Sequence, residues 1–137
     1  MKKIKSLDGY YLYKIEKSDS KYYLADNINY KKDIDKLIDN LDDLKFDSFI
    51  ILFGLDTGEY LKKLEKILCS NNKVLIFEPN EDIFNENKDI ALNDNISIVL
   101  FDEETITPIL ASIIGGNNFD NLYIYAFGNY KDIYKTS

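Results

Sequence analysis

Hydrophobic and polar positions follow two periods along this chain. Tyr10-Tyr11-Leu12-Tyr13-Lys14-Ile15 and Lys21-Tyr22-Tyr23-Leu24-Ala25 are rich in aromatic and β-branched residues and flank the polar Lys17-Ser18-Asp19-Ser20. That pattern predicts a β-hairpin. Ile34, Leu37, Ile38, Leu41 and Leu44 then recur at three- and four-residue steps, so a helix over Lys31–Leu44 turns one apolar face to a core. From Ser48 onward strands and helices alternate. Phe49–Phe53 is a continuous apolar run of the kind buried on both faces of a parallel sheet. A turn over Gly54–Gly58 leads to a helical stripe of Tyr60, Leu61, Leu64, Ile67 and Leu68. Val74–Phe77 predicts the next strand, Ile83, Phe84 and Asn87 a short helix, and Ile96–Phe101 a third strand. Thr105–Ile114 reads as a helix with Pro108 in its first turn and Gly115-Gly116 as its stop, and Leu122–Ala126 reads as a fourth strand.

Such alternation predicts an α/β fold. The expected architecture is a doubly wound, Rossmann-like, mostly parallel sheet flanked by helices, with an N-terminal β-hairpin extension. Residues 1–46 form the extension of hairpin and helix, and residues 47–137 the α/β core, within one compact domain.

Composition narrows the chemistry. The 137 residues carry 24 Asp+Glu against 17 basic residues, a formal charge of −7, and every basic residue is Lys. Without His there is no Ser-His-Asp or Cys-His nucleophile system and no His-built zinc site. Without Arg there is no bidentate clamp for phosphate or carboxylate. An acidic surface disfavours nucleic acid, which needs clustered positive charge. No apolar run approaches the roughly 20 residues of a membrane span, and the basic Met1–Ser6 is not followed by the apolar stretch of a signal peptide. The single Cys69 fits a reducing cytoplasm and, at the end of an apolar helical stripe, reads as a core residue.

One loop carries candidate chemistry. In doubly wound sheets ligands sit beyond the carboxyl ends of the strands. Gly54 and Gly58 bracket the turn after the first core strand, and glycine there permits positive φ and close approach of a ligand. The helix that follows adds orphan N–H donors. Glu78 stands 20 positions after Gly58 (78 − 58), matching the acidic residue that accepts ribose hydroxyls in nucleotide-binding sheets. Asp56, however, stands where a middle glycine would bring backbone against a pyrophosphate. Its carboxylate and that of Glu59 repel phosphate, so NAD and FAD are poor candidates. A cationic cofactor such as S-adenosylmethionine is electrostatically easier, and Asp102 after the third strand suits an adenine amino group. Gly54, Asp56, Gly58, Glu78 and Asp102 are thus candidate cofactor-binding residues, and the constellation resembles the cofactor half of class I methyltransferases. A plainer reading stands beside it. The glycines serve a strand-to-helix bend, and Asn80 caps a helix whose first turn holds Glu81 and Asp82. Asp42-Asp43 and Asp102-Glu103-Glu104 read as solvated acidic clusters rather than metal sites.

The same residues carry a family resemblance. Phe53-Gly54-Leu55-Asp56-Thr57-Gly58-Glu59-Tyr60-Leu61 resembles the Gly-rich segment of motility-associated factor (Maf) proteins, bacterial glycosyltransferases that transfer nonulosonic acid to flagellin. Val74–Phe84 is similar to their following Glu-Pro stretch, and Asn129–Tyr134 to the tyrosine-containing segment that leads out of their N-terminal domain. The chain departs from the family at Asp56, where glycine is favoured, and over Asn27–Tyr30, where a Ser…Pro segment is usual. Maf proteins are several times longer, and none of their sugar-transfer residues has a matching position here. The resemblance therefore implies a cytoplasmic, non-catalytic, cofactor-free accessory domain. Its expected partners are the catalytic domain of the same polypeptide, against which it would pack, or flagellin, the acceptor it would help to hold.

Overall fold

The structure is a computed structural model that describes residues 1–90, 93–116 and 121–134. It begins with a strand that its sequence hides. β1 (Lys2–Lys5) pairs antiparallel with β2 (Tyr11–Lys17), which pairs antiparallel with β3 (Ser20–Tyr23). Only Ile4 of β1 is apolar, so alternation gives little signal there. Three lysines instead guard an open sheet edge. The β2–β3 hairpin closes through Ser18 and Asp19, both with positive φ (53° and 65°), as a two-residue primed turn requires.

Helix α1 (Tyr30–Asn40) follows, started by Asn29, whose side chain accepts from the Lys32 N–H. It ends four residues earlier than the apolar spacing predicts. Leu41 is buried beyond its end, and Leu44 still packs against the core from the connection to the sheet. Strands β4 (Ser48–Phe53), β5 (Lys73–Glu78), β6 (Ile96–Leu100) and β7 (Asn121–Ala126) then form one parallel sheet in the order β6-β5-β4-β7. Helices α2 (Leu61–Ile67), α3 (Glu81–Asn87) and α4 (Glu103–Gly116) separate them, and α5 (Tyr130–Ile133) follows β7. The protein is therefore a mixed α/β molecule, with a four-stranded parallel sheet flanked by helices and a three-stranded antiparallel sheet before it.

Side-chain alternation along the strands assigns the two faces. Ile50, Leu52, Val74 and Ile76 join Leu12, Tyr13 and Leu24 of the N-terminal segment, Ile34 and Leu37 of α1, and Leu61 and Leu64 of α2 in one core. Phe49, Leu75 and Phe77 point the other way, against Ile106, Ile109 and Leu110 of α4. Leu122 and Ile124 of the edge strand β7 stay exposed. The larger core runs continuously from the hairpin into the parallel sheet.

Two expectations need correction. Pro108 is the sixth residue of α4 rather than a first-turn residue, and the helix runs through Gly116 instead of stopping before it. The Asp102 carboxylate accepts from the Glu104 N–H at 3.0 Å, which starts the helix earlier than Thr105 and leaves Pro108 in its interior. Cys69 is exposed rather than core, because α2 ends at Ile67 before the apolar stripe reaches it. Among the described residues no helix is long and apolar enough to cross a membrane.

Candidate functional site

The chain passes from β4 to β5 and β6 on one side and returns to place β7 on the other, so strand order reverses between β4 and β7. Ligands of open α/β sheets favour the carboxyl edge at such a reversal. The Gly54–Gly58 loop lies there, after β4. Gly54 (φ +109°) donates its N–H to Phe77 O at 2.8 Å and accepts the Tyr60 hydroxyl at 2.8 Å on its carbonyl. A Cβ on Gly54 would stand 2.5 Å from the ring of Tyr130, and one on Gly58 2.9 Å from Ile90 and Leu61 methyls. Both glycines thus make room for side chains of this same chain.

Two carboxylates sit inside the loop, and both Asp56 and Glu78 are 0% exposed. Glu78, at the end of β5, accepts the Leu55 N–H (3.0 Å), the Asp56 N–H (3.4 Å) and the Tyr130 hydroxyl (2.5 Å) on Oε1. Its Oε2 takes the Asn80 N–H at 2.9 Å. The Asp56 N–H also reaches the Tyr130 oxygen at 2.8 Å. Asp56 itself has φ +52° and faces the N-terminal segment. Its Oδ1 accepts the Tyr13 N–H at 2.9 Å, and its Oδ2 accepts the Tyr30 hydroxyl at 2.7 Å. Thr57 and Glu59 add further ties, through a hydroxyl donated to Tyr11 O and a carboxylate accepting from Tyr11 N.

No lysine hydrogen-bonds either buried carboxylate among the described residues. Burial therefore dominates their electrostatics. The Asp56 carboxyl is pushed up to about 7, against the opposing pull of the Tyr30 and Tyr13 hydrogen bonds and with added repulsion from Glu78. Glu78 is also raised by burial, an effect countered by its hydrogen bonds from Tyr130, Asn80, Leu55 and Asp56. The hydroxyls of Tyr30, Tyr60 and Tyr130 are driven well above the ordinary phenol range by burial and the nearby carboxylates.

Of the five candidate residues, the structure brings together Gly54, Asp56, Gly58 and Glu78. Asp102 is exposed and caps α4, beside an open cleft of about 660 Å³ that it shares with Phe53, Pro79, Phe101 and Tyr134. Asn80 caps α3, its side chain accepting from the Ile83 N–H at 3.1 Å. A second cleft of about 830 Å³ lies between β3, α1 and the end of β7, lined by Tyr23, Asp33, Lys36 and Tyr125 among others. No group of three His, Cys, Asp or Glu residues suited to a metal ion occurs among the described residues.

Chemically, the loop is closed upon itself. The two loop N–H groups that a phosphate would use donate to Glu78, and the acidic side chain that would read a ribose is spent on its own backbone. The partners that spacing could not reveal are Tyr13, Tyr30, Tyr60 and Tyr130. One signal for them exists: a tyrosine at an apolar core position requires a buried acceptor for its hydroxyl, where phenylalanine would not. No family model, curated protein or solved structure matches the chain.

Proposed function

We propose that this chain is a Rossmann-like accessory domain without catalytic activity of its own, belonging to a glycosyltransferase of the motility-associated-factor type that modifies flagellin with nonulosonic acid. The order β6-β5-β4-β7 supports the Rossmann-like part, since it is the order of the first four strands in a dinucleotide-binding sheet, with β4 as the first. One observation carries the accessory role: the Gly54–Gly58 loop that would cradle a nucleotide's phosphates is occupied by Glu78, Tyr130, Asp56 and Tyr30 of this same chain, beside a cleft that stays open at Asp102. The parent activity rests on the resemblance of Phe53–Leu61 and Val74–Phe84 to that family. In this reading the domain contributes a packing surface for the catalytic part of the polypeptide, and S-adenosylmethionine has no place in it. Isothermal titration of the purified chain with a sugar nucleotide and with S-adenosylmethionine tests this. Neither is expected to release heat at millimolar concentration. Saturable binding of a sugar nucleotide would make the domain a donor site, and saturable binding of S-adenosylmethionine would replace the proposal with a methyltransferase-like one.

A further inference from the structure

We propose, independently of any parent activity, that the open edge of β1 is a docking strand for an extended acidic segment of a partner protein. Ser6 donates its N–H to Tyr10 O at 2.7 Å and continues the β1–β2 ladder, in which Lys5 faces Tyr11. Hydrogen-bonded pairs alternate along an antiparallel ladder. Ile4–Leu12 and Lys2–Lys14 are therefore the bonded pairs, and Lys3 and Lys5 turn their N–H and C=O groups outward. Nothing among the described residues takes those groups. The opposite edge of the same sheet differs, since the outward Tyr23 carbonyl accepts from Asn129 Nδ2 at 3.0 Å.

The side chains specify the charge of the occupant. Lys2, Lys3 and Lys5 are exposed, and none has a carboxylate within ion-pair distance among the described residues. Lys3 and Lys5 project from one face, their ammonium groups 5.5 and 5.8 Å from the centre of the half-exposed Tyr11 ring. Residues 1–23 hold six Lys against three acidic residues, a net +3, while the rest of the chain carries −10 (−7 − 3). A strand laid antiparallel on β1 sets alternate side chains directly opposite Lys3 and Lys5, and carboxylates there make favourable cross-strand pairs. A second copy of β1 would instead set lysines against lysines. Phosphates of a nucleic acid or a lipid accept but do not donate, so they leave the outward carbonyls without the partner that a peptide N–H supplies.

Calorimetry and amide exchange on the whole chain, with a short synthetic peptide alternating Glu and Thr, test this. Saturable binding is expected at low salt and should weaken as salt is raised. At a peptide concentration about ten times Kd, the Lys3 and Lys5 amides should exchange about tenfold more slowly. Lys3→Glu combined with Lys5→Glu should weaken binding about tenfold. The same peptide N-methylated at its Glu residues keeps its charge but loses the donors aimed at β1, and should also bind about tenfold more weakly. Absence of saturable binding, unchanged exchange at Lys3 and Lys5, or equal binding of the N-methylated peptide would overturn strand addition. Equally tight binding of a single-stranded oligonucleotide or of phosphatidylserine vesicles would replace it with a general polyanion patch. Dimerisation of the free chain that the double substitution alters would give the edge to a second copy. The peptide comparisons decide the matter if the substituted chain does not fold.

Discussion

Gly54→Ala tests whether the carboxyl-edge loop is filled by this chain's own aromatic ring. The added methyl meets Tyr130 Cδ1 at 2.5 Å, Cγ at 2.6 Å and Cε1 at 2.8 Å, well inside carbon–carbon contact, and Gly54 holds φ at +109°. Backbone strain for an L-residue in that region costs about 1–3 kcal/mol. Displacing a ring that is fully buried and tied by its hydroxyl to Glu78 adds about 1–3 kcal/mol of overpacking. The expected destabilisation is about 2–6 kcal/mol, a large part of the roughly 5–15 kcal/mol typical of a domain. Urea unfolding followed by far-UV circular dichroism suits a chain without tryptophan. The two contributions separate in a cycle with Tyr130→Leu. Strain is independent of the ring, whereas the clash vanishes with it, so a coupling of about 1–3 kcal/mol is expected between the two substitutions. Additivity within about 0.5 kcal/mol, or a Gly54→Ala loss below about 1 kcal/mol, would refute the packing of Tyr130 on Gly54.

Further outcomes follow from the same contacts. Tyr30→Phe removes the donor to Asp56 Oδ2 in a buried site and should cost about 1–3 kcal/mol in urea unfolding, with no change attributable to lost ring volume. Asn72 is 0% exposed, accepts the Cys69 N–H and donates to Lys45 O and Phe46 O. Asn72→Ala strands these groups together and should cost about 2–4 kcal/mol, whereas a loss under about 1 kcal/mol would show that water replaces the amide. Cys69, exposed and without a disulfide, should react fully with a thiol reagent in the folded protein, and protection until denaturant is added would contradict its position.

The strands and helices of the core were largely legible because each encodes its own burial. Phe49–Phe53 and Val74–Phe77 are apolar without interruption, and such runs suit a sheet covered on both faces. The Ile34, Leu37, Leu41 spacing likewise announces a helix. β1 was not legible, since a lysine-rich edge strand is held by a neighbour's backbone rather than by apolar side chains. The place of Pro108 in α4 is not legible in the apolar pattern, because the Asp102 cap, a local hydrogen bond, decides where α4 begins. The exposure of Cys69 is hidden for a similar reason, as the end of α2 and not the apolar stripe sets it.

The sequence by itself determined the class of fold, the loop on which four of the five candidate residues meet, and the absence of histidine and arginine chemistry. Tertiary structure alone decided what that loop does. Glu78 looked like a ribose acceptor because of its spacing from Gly58, yet it accepts Leu55, Asp56, Asn80 and Tyr130. Asp56 looked like a barrier to phosphate, yet it also joins β2 and α1 to the sheet. Its contacts with Tyr13 and Tyr30, and that of Glu78 with Tyr130, span 43, 26 and 52 residues of chain. Hydrophobic periodicity reports only which face of an element is buried. Which hydroxyl meets which carboxylate depends on how the hairpin, α1 and α5 converge over the ends of β4 and β5, and that convergence exists only in three dimensions.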